Sequence, residues 1–87
     1  MDHLTEDFLK SKIKDKEFCT HITSSGKILR WCILTMENRY AVTGKPSVCV
    51  DPNRDNQQVG EDVAFQNAFE ELWQLEGYLL QETLKNN

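Results

Sequence analysis

Three thiols and an imidazole are the first candidates for chemistry in this chain of 87 residues: Cys19, Cys32 and Cys49, with His21 two positions beyond the first. Zinc takes thiolate and imidazole ligands in a tetrahedron, and structural zinc sites present them as closely spaced pairs such as Cys-x-x-Cys. The close pair here is Cys19-x-His21, which an extended strand points to one face. An odd number of cysteines without paired spacing is more simply read as reduced thiols packed as small hydrophobes. Cys19 and His21 are also the nucleophile and base of thiol chemistry, but no nearby acid is evident to orient the imidazole. The adjacent carboxylates Glu61/Asp62 and Glu70/Glu71 diverge by about 100° on a helix, as surface pairs do. The glycines at 26, 44, 60 and 77 are scattered and make no phosphate-cradling loop. No metal, cofactor or catalytic residue is expected, and the chain is expected not to be an enzyme.

A second set, Lys27, Arg30, Arg39 and Lys45, falls around one group of strands and turns. Four cations there suit a small anionic ligand such as a nucleotide, sequestered at an oligomer interface. Charge along the chain limits the larger alternatives. Residues 1–50 hold eight Lys/Arg against six Asp/Glu, a net of +2, and residues 51–87 hold two against eight, a net of −6, which together give −4. Nucleic-acid affinity comes largely from cationic contacts to phosphate, so the acidic half argues against it. No apolar run approaches the roughly 20 residues that span a bilayer. The start, Met1-Asp2-His3-Leu4-Thr5-Glu6-Asp7, is polar and acidic, so no secretory signal is expected and cytosolic residence is the default.

The elements that position these residues follow from periodicity. Residues 4–16 read as a short amphipathic helix: Thr5 is an N-cap, Glu6 and Asp7 suit the positive start, Lys10, Lys12 and Lys14 the end, and Leu4, Phe8, Leu9 and Ile13 one face. "EFCTHIT" alternates as a strand, "SSGK" is a turn, and "ILRWCILT" is apolar enough on both faces to be a central strand. "MENR" turns again into a third strand at Tyr40-Ala41-Val42-Thr43, so short connections make an antiparallel meander. Val48-Cys49-Val50 is either a short extra strand or a buried strap. From about Asn53 to Leu84 apolar residues recur every three or four positions, a long helix opened by Asp51 or Asn53 with Pro52 in its first turn. Gly77 suggests a bend or a frayed final turn. The expected fold is α+β, a single domain over residues 1–87, in the order α-β-β-β-α: a three-stranded antiparallel sheet with a short N-terminal and a long C-terminal helix packed on one face. That order is shared with double-stranded-RNA binding domains. Those need lysines at the start of the second helix, where this chain reads "NRDNQQVGED".

The aromatic side chains exceed what one helix-on-sheet interface consumes. Phe69, Trp73, Leu75, Tyr78 and Leu79 wind around more than one side of the long helix. Core packing is the simpler use of Trp73, and an association surface the use of Tyr78 and Leu80. With the acidic pair Glu70 and Glu71, Trp73 and Tyr78 make the candidate partner-binding face. A homodimer through the same helix is the competing use of it.

"CILTMENRYAVTGKPSVCVDP" followed by "VGEDVAFQNAFEELWQLEGYLLQETL" resembles a family of small phage and prophage proteins named after a phage gene 49 and a gene 66. The resemblance rests on Cys32-Ile33-Leu34-Thr35, Asn38, Val42-Thr43-Gly44, Cys49-Val50-Asp51, Gly60, Ala64, Ala68, Trp73 and Leu75-Glu76-Gly77-Tyr78-Leu79, within residues 28–82. Arg39 stands where the pattern leads one to expect glycine after Asn38, so a tight two-residue hairpin is not expected there. The resemblance lends no catalytic residues and implies residence in a bacterial host cytoplasm. It implies an accessory protein, and by analogy of class one that binds and modulates a host protein concerned with defence or nucleic-acid processing.

Overall fold

The computed structural model describes residues 5–85. Everything is organised around β2 (Ile28–Met36), whose even-numbered side chains Arg30, Cys32, Leu34 and Met36 are buried while the odd-numbered ones are half-buried. β1 (Ile13–Ile22) pairs with the whole length of β2, from Ile13 opposite Met36 to Ile22 opposite Ile28, with a bulge between Ile13 and Asp15. On the other side β2 pairs with β3 (Ala41–Thr43) and then with β4 (Ser47–Cys49). The Val48 segment is therefore a fourth strand, and the expected three-stranded sheet gains a short one. Thr43 lies opposite Ile33 and Ser47 opposite Arg30, so four steps along the outer chain span three along β2. β3 and β4 are thus one edge broken by a one-residue bulge at Gly44-Lys45-Pro46, where Pro46 lacks the N–H a ladder would need.

The first helix is shorter than residues 4–16. α1 covers Glu6–Ser11, capped by Thr5, whose hydroxyl accepts from the Phe8 N–H at 3.1 Å; Leu4 lies outside the described residues. Its end is fixed by the sheet: the Lys12 carbonyl accepts from the Glu37 N–H at 3.0 Å, and pairing with β2 begins at Ile13. A segment of one or two turns has little helical stability of its own. The nine-residue β2 offers a ladder along its full length, and Asp15 and Lys16 pair with it beyond the bulge at Lys14.

The two hairpin turns share one construction. Gly26 N–H donates to Thr23 O and Thr23 N–H to Lys27 O; Arg39 N–H donates to Met36 O and Met36 N–H to Tyr40 O. In each, one residue closes the turn in the left-handed region: Gly26 at φ 88° and Arg39 at φ 73°. These are three-residue loops that end in a bulge, which explains how the second hairpin closes without an Asn-Gly pair. Glycine is at ease there, and arginine is not.

The long helix begins later than Asn53. Asp51 accepts from the Asn53 N–H, and Pro52–Arg54 form one turn of 3-10 helix, after which Asp55 is extended. α2 (Gln57–Lys85) starts at Asn56, whose side chain accepts from the Val59 N–H at 3.1 Å. It runs unbroken past Gly77 to Lys85. α2 lies over the even-numbered face of β2, and Ala64, Ala68, Phe69 and Leu72 join Leu9, Cys32, Leu34 and Met36 in the core. Contact is closest at Gly44, where a Cβ would fall on the Asn67 carbonyl and 2.7 Å from the Ala68 nitrogen.

Arg39→Gly should raise stability by about 1 kcal/mol, the cost of a left-handed L-residue, and the melting temperature by roughly 4–8 °C. Gly44→Ala should lower stability by about 1–3 kcal/mol, since the helix must lift from the sheet. Thermal unfolding followed by circular dichroism reads both, and equal signs for the two would contradict the turn and contact geometry.

Candidate functional site

Of the four cations proposed for an anionic ligand, one is already committed. Arg30 is 8% exposed and makes a bidentate pair with Asp55, both contacts at 2.6 Å. Gly60 leaves room for it, since a Cβ there would lie 2.9 Å from one guanidinium nitrogen. The hydrogen bonds from Arg30 hold the Asp55 carboxyl below the usual carboxylate range, and the same bonds raise the guanidinium further. A cleft of about 220 Å³ beside them is lined by Ser47, Cys49, Arg54, Asn56 and Val59, among others. Lys27 and Arg39 sit in the turns at opposite ends of β2. Nine residues of strand separate those turns by about 30 Å, so within one chain the cations do not converge. Lys45 lies in the bulge between β3 and β4, its carbonyl accepting from Asn67 Nδ2 at 3.0 Å.

The thiols are also dispersed. Cys19 pairs with Trp31 and is exposed, whereas Cys32 is buried under α2 on the opposite face. Burial pushes the Cys32 thiol up, away from thiolate. Cys49 donates to the Asp51 carbonyl at 3.1 Å. No three metal-ligating side chains gather among the described residues. The N-terminal lysines are spread over aromatic rings: Lys10 lies 5.4 Å from the Phe69 centroid and Lys16 5.0 Å from that of Phe65.

The candidate partner-binding residues divide. Trp73 is half-buried, packed on the core and 6.3 Å from Phe69. Glu70 and Glu71 are exposed, and Glu70 accepts from Gln74. Tyr78 is 69% exposed. On a 3.6-residue turn Glu71 and Tyr78 share one flank while Trp73 faces away from it, so these four are not a single patch. What lies beside Tyr78 is more coherent. The buried stripe Ala64, Ala68, Leu72 continues along α2 as Leu75 and Leu79, yet these are 46% and 58% exposed. α2 is about 44 Å long at 1.5 Å per residue, and β2 only about 30 Å. Beyond Leu72 the helix has no sheet beneath it. The Cα radius of gyration, 15.5 Å, accordingly exceeds the roughly 12 Å of a compact domain this size. A cleft of about 250 Å³ opens between this end and the β2–β3 turn, with Met36, Tyr40, Leu72, Leu75, Tyr78 and Leu79 around it.

Two features escaped the sequence reading. Arg30 was assigned to a ligand, although an arginine on the core side of an apolar strand itself calls for a carboxylate. Leu75 and Leu79 belong to the apolar winding expected of the long helix, but the reason for their exposure, a helix near 30 residues outrunning a short sheet, is missing from that reading.

A helix laid on one face of a four-stranded antiparallel sheet, with both hairpins closed by bulged turns, defines a small α+β protein. Residues 4–84 match the model of the phage protein (N4 Gp49/phage Sf6 gene 66) family, and the chain belongs to that family. No curated protein and no solved structure matched it. No described helix is long and apolar enough to cross a membrane.

Asp55→Asn should destabilise the chain at neutral pH by removing the charge that Arg30 pairs with. Because the folded carboxyl titrates below its unfolded value of about 3.9, the pair stabilises the fold above that value. This contribution is lost as pH falls through the lower, folded value. The gap in urea midpoint between the two proteins should therefore narrow on acidification below about pH 4. A gap independent of pH would show that the pair contributes nothing electrostatic.

Proposed function

We propose that this phage-family chain is a non-enzymatic accessory protein of the bacterial host cytoplasm that binds and modulates a host protein. The observation that carries the reading is the uncovered end of α2, where Leu75, Tyr78 and Leu79 extend a buried stripe into solvent. Apolar side chains in such a continuous row find a use when another surface covers them. The remaining features fit this reading: Arg30 and the buried thiol serve the fold, and Lys10 and Lys16 lie over the rings of Phe69 and Phe65. The acidic second half favours a protein partner over nucleic acid.

Tagged chain incubated with host cytosol should retain one protein in stoichiometric amount, and Leu79→Glu should release it while leaving the melting temperature within about 2 °C, since surface substitutions cost little. Light scattering on the purified chain should give a monomer. A partner retained equally by the variant, or none at all, would remove the reading.

A further inference from the structure

The groove at the end of α2 has a sign as well as a shape. Met36 and Leu72 form its floor, Tyr40 one wall, and Leu75, Tyr78 and Leu79 the other. Glu76 stands where this cleft meets a second of about 270 Å³, which Phe8, Leu9 and Lys12 help to line. Among the described residues Glu76 has no ion-pair partner. Glu71 is exposed on the flank of α2 shared with Tyr78. Glu37 projects from the β2–β3 turn, and its single cation, Lys12, is at 3.8 Å with both side chains largely in solvent. Such a loose surface pair exchanges readily for another. The apolar trough is thus bordered by Glu76, with Glu37 and Lys12 in the adjoining cleft, Glu71 on the neighbouring flank of α2, and Arg39 in the same turn as Glu37.

We propose that the groove receives an amphipathic helix of the partner protein, its apolar ridge on Leu75 and Leu79 and its flanking Lys or Arg toward Glu37, Glu71 and Glu76. This rests on the binding reading above and gives the partner its chemistry. A helix fits because Leu72, Leu75 and Leu79 recur at three and four residues, the spacing that accepts the ridge of another helix. Basic flanks fit because charge on the rim selects among amphipathic helices that the apolar stripe alone would not distinguish. A second copy of α2 is disfavoured by the same charges, since residues 51–87 carry a net of −6 and two such helices would repel.

Fluorescence anisotropy with the full chain tests this, using labelled helical peptides of about four turns with leucines at i, i+4, i+7 and i+11. One has lysines flanking the leucines, one has glutamates in their place, and one has the leucines scrambled. The lysine form should bind roughly tenfold or more tighter than the glutamate form, and weaken as salt rises. Leu79→Ser should reduce that affinity by about tenfold, and the double variant Glu71→Lys/Glu76→Lys should reverse the order of the two charged peptides. Equal affinity for both charged forms, binding that survives scrambling, or no binding to any peptide overturns the proposal. So does a dimer in light scattering whose Tyr78 is shielded from solvent quenchers. If the peptides fail but a host protein is still captured and released by Leu79→Glu, only the partner's chemistry is wrong. If that capture fails as well, the binding reading falls with it.

Discussion

The contact between Gly44 and the backbone of α2 at Asn67 and Ala68 is the constraint from which the rest of the molecule follows. It brings a helix against a sheet edge more closely than any side chain would allow. That approach explains the small residues facing it, since Ala64 and Ala68 are fully buried where leucine would hold the layers apart. It also explains the broken edge of the sheet. The bulge at Gly44-Lys45-Pro46 lets the chain meet the helix and then return to β2 as β4, one residue out of step. The Asn67 side chain, donating to the Lys45 carbonyl, holds the bulge in place from the helix side.

With the middle of α2 fixed, its two ends have different fates. The start is tied down by Arg30 and Asp55, a pair whose burial is tolerable because both guanidinium bonds are made. The far end has no such tie and no sheet to lie on. Its apolar residues are a continuation of the core pattern, so the same periodicity that folds the protein also leaves a surface to be covered. The excess length and the acidic side chains beside it are the features on which the proposed partner binding rests.

The sequence was informative where local chemistry decides the outcome. Thr5 caps α1, Asp51 and Pro52 open a helical turn, and the doubly apolar run at Ile28–Met36 is the central strand. It misled where tertiary pairing overrides local preference. Lys14 to Lys16 fall at the end of the helix expected over 4–16, but β2 is long enough to draw them into β1. Asp55 falls inside the helix expected from about Asn53, but it is extended, pairs with the buried Arg30, and leaves α2 to start at Asn56. Gly77 suggests a bend or a frayed final turn, yet the helix continues through it to Lys85 and nothing lies near enough for the glycine to be needed. The groove was legible only in part. Tyr78 was recognised from its type, while Tyr40 and Met36 reach the site through a turn whose geometry depends on an arginine in the left-handed region.

Native-state hydrogen exchange on the free chain measures most directly whether the end of α2 is uncovered. Amides of α2 from its second turn to Leu72 should exchange only through global unfolding, and those from Leu75 onward through local fraying that is orders of magnitude faster. Slow, uniform exchange through to Leu84 in a monomeric chain would contradict the uncovered end, and with it the surface on which the proposed partner binding rests.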